Sequence, residues 1–304
     1  MTLAFRVPSD YRLWSLVVSH GWSVLPPFQI DRNRRVLSFA AILADGTPAV
    51  FAARQRRRVV TVGVSPSGAL SSHHRADLRR IATAVLRFDE DLTQLHRECR
   101  RHPSFRWVPR YGAGRILRAA SAYEDAVKMI LTTNCSWSLT EAMVGRLVES
   151  LGTAVGDRKA FPTPYAMAAK PESFFRNEIK AGYRSPFLVE LARRCASGDL
   201  DLEQLRRGSM THEEMEALLR DIKGIGPYAA DNLLRLHGVY HRFAHDSWIT
   251  RVYAERYHRG RRVGDRTIEQ RYRAFGPFRG LMYWLDMTRP WYEREEDFGL
   301  EATA

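Results

Sequence analysis

The chain is poor in cysteine, in lysine and in long apolar runs. Its three cysteines, Cys99, Cys135 and Cys195, are odd in number and far apart. That usage argues for a reducing compartment and against a disulfide framework. Three thiols also cannot supply a four-cysteine iron–sulfur cluster. No run of eighteen apolar residues occurs, so no segment has the make-up of a membrane-spanning helix. The opening residues, MTLAFRVPSDYRLW, lack the apolar core of a signal peptide. Lysine is reduced to five positions, Lys128, Lys159, Lys170, Lys180 and Lys223, while the net charge is +13. Arginine therefore carries the surplus, which favours a polyanionic partner through counterion release. An arginine-rich proteome would leave the same mark, so charge alone does not name the partner.

What is present divides the chain in two. Up to about Ala69, short β-prone runs (Val36–Phe39, Ala49–Ala53, Val59–Val64) alternate with turn-forming stretches, Asp45-Gly46-Thr47-Pro48 and the basic run Gln55–Arg58. Arg54, Arg56, Arg57 and Arg58 read as a solvated hairpin loop. A helix follows at Arg75–Arg87, with Leu78, Ile81, Ala82 and Val85 on one face. The remainder is almost all helix. Tyr123, Ala126, Val127, Ile130 and Leu131 form one apolar stripe; Leu139, Met143, Leu147, Val148 and Leu151 form another, opened by Ser138 with Glu141 as a capping box. Thr211 and Glu214 repeat that signature. The expected architecture is α+β: a small N-terminal antiparallel β-sheet domain over 1–110, packed on a mostly α-helical domain over 111–304.

The densest signal is Leu219–Gly238, LRDIKGIGPYAADNLLRLHG, followed by a lone acid in Ala244-His245-Asp246-Ser247-Trp248. Apolar residues at helical spacing flank Gly224-Ile225-Gly226, which predicts two helices joined by a very tight hairpin. Glycine suits a sharp bend that must approach a ligand closely, and Pro227 suits the first turn of the second helix. The free N–H groups at that helix start make a phosphate seat.

These residues resemble the helix-hairpin-helix DNA glycosylases, in which such a hairpin precedes a catalytic aspartate. Gly112–Arg118, Thr132–Ser136 and Gly182–Arg184 are similar to blocks of the 8-oxoguanine glycosylases, within the 8-oxoguanine and 3-methyladenine branch of the superfamily, so the likeness spreads over roughly 110–290. The N-terminal part matches only in position and β character, as a half of the TBP-like type. The resemblance implies excision of a damaged base, oxidised, alkylated or deaminated, from double-stranded DNA, with Asp246 as the catalytic carboxylate. It would stabilise the oxocarbenium-like sugar and orient a water. Asp246 also suits the N-cap of the helix starting Ser247-Trp248-Ile249, and the two roles are compatible. Relatives that also break the strand carry a lysine two residues after the second glycine; here Tyr228 stands there, which implies a monofunctional enzyme. Lys223, on the other limb, is expected at phosphate or solvent.

Tyr228, Asn232 and Arg235 share one helical face. Tyr228, Trp248 and Trp137 are expected to stack an everted base and Asn232 to read its edge. The Phe278–Trp284 helix should border the pocket. The resemblance carries Asn134 over as the gap filler, Tyr183 as a wedge and Arg184 as the contact to the orphaned base. Lys223, Gly224, Ile225, Gly226 and Tyr228 would form the DNA-binding hairpin. The backbone carbonyls of Arg220, Ile222 and Ile225 would hold a Na⁺ or K⁺ bridging to a phosphate. No cofactor is required for the chemistry. The implied protein is a monomer, cytoplasmic and nucleoid-associated if bacterial, nuclear if eukaryotic. The rival readings are a glycosylase/lyase using another lysine and a non-catalytic lesion-binding module.

Overall fold

The computed structural model describes residues 1–66 and 71–295. The first third builds a five-stranded antiparallel sheet from β1 (Thr2–Arg6), β2 (Gln29–Asp31), β3 (Val36–Ile42), β4 (Pro48–Arg56) and β5 (Val59–Pro66). The strand order is β1-β5-β4-β3-β2. The three inner strands are the β-prone runs of the sequence. The two edge strands were not among them: β1 buries only Leu3 and Phe5, and β2 is three residues long. Period-two alternation sets the register. Phe39 lies opposite Phe51, and their rings stack with centroids 4.7 Å apart. Arg54, Arg56, Arg57 and Arg58 are exposed around the β4–β5 turn, as a solvated hairpin requires.

Helix α1 (Ser72–Leu86) turns its predicted stripe, Leu78, Ile81, Ala82 and Val85, into the core. The helical part follows: α2 (Ala122–Thr132), α3 (Trp137–Leu151), α4 (Ser185–Ser197), α5 (His212–Arg220), α6 (Pro227–Leu236), α7 (Ser247–His258) and α8 (Arg279–Glu293). The Thr211–Glu214 capping box forms in both directions. The one expected at Ser138 does not. Helix α3 starts earlier, on Ser136, whose hydroxyl accepts the Leu139 N–H. Glu141 instead takes the Trp137 indole N–H at 2.9 Å. A serine two residues upstream competes equally well for the cap, and the indole draws the glutamate away.

One apolar cluster runs from Leu3 to Tyr292 and takes in residues from both sides of position 110. Helix α8 ties the late chain to its beginning. The Trp284 indole donates to the Ser19 carbonyl at 2.9 Å, and Trp14 donates to Glu295 at 2.7 Å. Gly280 allows a second close approach, because a Cβ there would stand 1.8 Å from the Arg242 carbonyl oxygen. The Leu281 N–H then reaches the Tyr240 carbonyl at 3.0 Å. The stretch leading to Asp246 is thereby pressed flush on the start of α8.

Candidate active site

The hairpin between α5 and α6 is built as its glycines demand. The Ile225 N–H closes back on the Ile222 carbonyl at 3.0 Å. Gly224 takes a φ of +90°, and a Cβ there would lie 2.7 Å from the Phe187 ring. Glycine is therefore required twice over, by conformation and by contact. Ile222 and Ile225 are buried as anchors. Gly226 occupies the N-cap of α6 with no side-chain cap, and Pro227 fills its first turn. The bend is exposed at Gly226 and Pro227, and the N–H groups of a first helical turn have no partner within the helix, which suits an anion. Lys223 is directed to solvent and pairs with Glu190 at 2.8 Å.

Behind the hairpin lies a cleft of about 1230 Å³. It is bounded by α6, the start of α7, helix α8, the turn after α2 and the N-terminal segment 17–32. Asp246 stands in its wall, half-buried, as the N-cap of α7, with Oδ1 accepting the Ile249 N–H at 2.8 Å. One carboxylate oxygen thus fixes the side chain. Five of the seven tryptophans line the same cleft: Trp22, Trp137, Trp248, Trp284 and Trp291. Trp248 stacks on Trp291 with centroids 5.6 Å apart, and Trp284 meets that pair at 5.7 to 6.2 Å. Such a wall suits a flat aromatic guest.

The polar side of the cleft comes from α6. Tyr228, Asn232 and Arg235 all line it, as their shared helical face predicts. Burial, with the neighbouring Asp246 carboxylate, raises the Tyr228 phenol above its ordinary range, so it stays a neutral hydroxyl facing Asp246. Asn232 is already engaged: its Nδ2 donates to the Tyr228 carbonyl at 2.9 Å and its Oδ1 accepts from Arg235. Arg235 is 5% exposed and stacks over the Trp284 ring, 4.4 Å from its centroid. Burial lowers its pKa to about 10, which leaves it charged at neutral pH. His20, across the cleft, binds the Leu117 carbonyl at 2.6 Å, and burial lowers its pKa to about 4.

At the rim, Asn134 follows α2 in the left-handed conformation, with φ of +48°. It therefore also serves as the residue that ends that helix. Its side-chain amide donates to the Tyr183 hydroxyl at 3.1 Å, and Thr133 Oγ1 meets the same hydroxyl at 3.1 Å. Tyr183 is exposed beside Phe187, so Asn134 and Tyr183 form one bonded pair at the rim. Arg184 was implied by the resemblance as the contact to the orphaned base. It is 4% exposed and lies beneath that rim, its guanidinium 4.5 Å from the Tyr183 ring centroid. It donates to the Thr133 and Ala181 carbonyls. Trp137 rises at another edge of the cleft, with its indole tip over Gly21, where a Cβ would stand 2.2 Å from the ring.

No lysine is in the cleft lining among the described residues. Lys128 is fully buried with Glu124 at 2.6 Å, and Lys159 pairs with Glu149. The sequence reading assigned no task to Arg235, whose spacing from Tyr228 and Asn232 was visible. It missed His20, Trp22 and Trp291 altogether, because nothing local marks a residue whose cleft neighbours lie hundreds of positions away.

No protein-family model matches the chain. A protein of Methanothermobacter thermautotrophicus named a probable N-glycosylase/DNA lyase is 27% identical over 178 residues, a match that takes in 51% of this chain and 55% of the relative. The chain thus matches only about half the length of that curated relative. Among solved structures, the 3-methyladenine DNA-glycosylase of Archaeoglobus fulgidus superposes with a TM-score of 0.75 at 19% identity, covering 94% of this chain and 98% of that one. The apo form of the 8-oxoguanine glycosylase/lyase of Clostridium acetobutylicum gives 0.71 at 19% identity, over 94% and 96% of the two chains. The chain therefore has the fold of the helix-hairpin-helix DNA glycosylases, the superfamily whose hairpin and aspartate its own sequence resembles.

Proposed function

We propose that the protein is a monofunctional DNA N-glycosylase, acting as a monomer on duplex DNA that contains a damaged base. The observation that carries this reading is Asp246, locked by its own helix cap in the wall of an indole-lined cleft behind the hairpin. The hairpin grips a phosphate through backbone N–H groups, which gives affinity without sequence preference. Asn134 and Tyr183 enter the duplex as one nucleotide turns out into the cleft. Asp246 stabilises the positive charge that grows on the deoxyribose and receives a proton from the attacking water. Water forms the new C1′–O bond, the electron pair of the C1′–N bond leaves on the base, and the base takes up the proton.

Any cation at the hairpin would be held by the Arg220, Ile222 and Ile225 carbonyls. Among the described residues no group of three His, Cys, Asp or Glu side chains is disposed to hold a metal. Backbone oxygens alone suit a hard monovalent ion that neutralises a phosphate, which here adds affinity only.

The second reading is a glycosylase/lyase, favoured by the name of the archaeal relative. It needs an amine nucleophile in the cleft. The test is a panel of duplexes, each with one modified base, scored for strand breaks before and after alkali. Breaks that appear only after alkali support hydrolysis alone. A covalent adduct trapped by borohydride and abolished by Lys223→Ala overturns it. Tight lesion binding with no base release from any duplex leaves only the binding module.

A further inference from the structure

We infer that Arg235 reads the everted base through a lone pair on its edge, so that the cleft selects neutral bases bearing a carbonyl, oxidised or deaminated, over cationic alkylated bases. This rests on the glycosylase reading and narrows its substrate class. Three observations carry it. First, the Arg235 guanidinium is buried in the cleft wall and forms no direct ion pair among the described residues; Asp246 and Asp231 act on it only from further away. Buried guanidinium groups are normally paired, because an uncompensated charge is expensive in a dry site. Its Nη2 donates to Asn232, while its Nη1 has no hydrogen-bond partner. Second, the Trp284 ring beneath it fixes the plane of the fork, so the unpaired, buried donor has a set direction. Third, two of the neighbouring polar groups are already engaged. Asn232 is bonded at both its amide nitrogen and its oxygen, and the His20 ring nitrogen Nε2 is held at the Leu117 carbonyl.

The chemistry follows from the sign of the charge. A neutral base expelled by hydrolysis leaves with the electron pair of the C1′–N bond, as an anion. A fixed cation at its edge stabilises that anion as it forms, and more strongly in the transition state than in the bound substrate. An N-alkylated purine already carries a positive charge and leaves neutral. Arg235 repels it on entry and gains nothing on its departure.

The experiment measures single-turnover base release by the whole chain from duplexes containing hypoxanthine, uracil or 8-oxoguanine, and from methylated DNA releasing 3-methyladenine and 7-methylguanine. Wild type should favour at least one carbonyl base over both methylated purines; which one responds separates deaminated from oxidised damage. Arg235→Met should slow that release by about ten- to a hundredfold, the worth of a charge-assisted hydrogen bond, and leave the methylated purines unchanged or faster. Arg235→Lys, which keeps charge without the fork, should fall between. Faster release of methylated purines by wild type overturns the inference even if neither variant folds. So does an unchanged ratio in Arg235→Met. If no base is released from any duplex, it is the glycosylase reading that fails.

Discussion

On the proposed function Asp246 has two separable duties, and substitution can pull them apart. Its Oδ1 caps helix α7 through the Ile249 N–H at 2.8 Å. Asparagine caps a helix about as well as aspartate, whereas alanine costs about 1 kcal/mol. Asp246→Asn should therefore melt near the wild-type temperature, and Asp246→Ala a few degrees lower. The charge behaves oppositely. A carboxylate roughly 4 Å from a developing sugar cation, at an effective dielectric of about 20, contributes about 4 kcal/mol, which is on the order of a thousandfold in rate. Both variants should lose that factor in single-turnover base release, and both should keep their affinity for a duplex bearing an uncleavable abasic analogue. The assay pairs quenched-flow release with thermal melting on the same preparations. Asp246→Asn releasing base at the wild-type rate would refute the electrostatic role. Asp246→Asn melting as low as Asp246→Ala would refute the cap.

Gly21→Ala would place a methyl 2.2 Å from the Trp137 ring. It should displace that indole at a cost of about 1–3 kcal/mol, seen as a changed tryptophan emission and weaker binding of lesion duplexes; an unaltered spectrum would contradict the contact. Gly224→Ala combines a strained φ with a clash against Phe187. It should weaken binding to damaged and undamaged duplexes alike, and a loss confined to lesion DNA would show that the hairpin does more than hold the backbone. Acid should destabilise the protein through His20 and His237, whose folded pKa values burial pushes below the ordinary 6.5, to about 4 for His20. Their contribution is complete above pH 6.5 and is lost as pH falls towards 4, because only the unfolded chain takes up the protons; for His20 it is up to about 3 kcal/mol. Melting temperature should fall between pH 6.5 and 5, less steeply in His20→Gln, and a flat profile would count against buried neutral imidazoles.

How much of this was legible depended on the range of the interaction. The hairpin, the cap at Asp246 and the Thr211–Glu214 box are local patterns, and they stand where the sequence put them. The three inner strands were legible because alternation and β-branching coincide there, whereas β1 and β2 owe their pairing to neighbours supplied by the rest of the sheet. Local competition misled the reading at Ser138, where Ser136 offers the same hydroxyl one turn-edge earlier. Arg184 was carried over by resemblance as the contact to the orphaned base, and nothing local in the sequence marked its hydrogen bonds to the Thr133 and Ala181 carbonyls beneath the rim. The indole wall was least legible. Trp248, Trp284 and Trp291 are spaced along two helices whose faces only tertiary packing can orient, and the residues 17–32 opposite them carry no motif at all.

The docking of α8 on the N-terminal segment has a consequence for biosynthesis. The cleft takes its walls from residues 17–32 and from residues up to 295, joined by the Trp284–Ser19 and Trp14–Glu295 hydrogen bonds. Contacts of such sequence separation form late, after the intervening chain has collapsed. A nascent chain emerging from the ribosome would present its hairpin well before it owns a pocket. On the proposed function, the segment that grips phosphate is thus synthesised before the last walls of the cleft that admits a nucleoside.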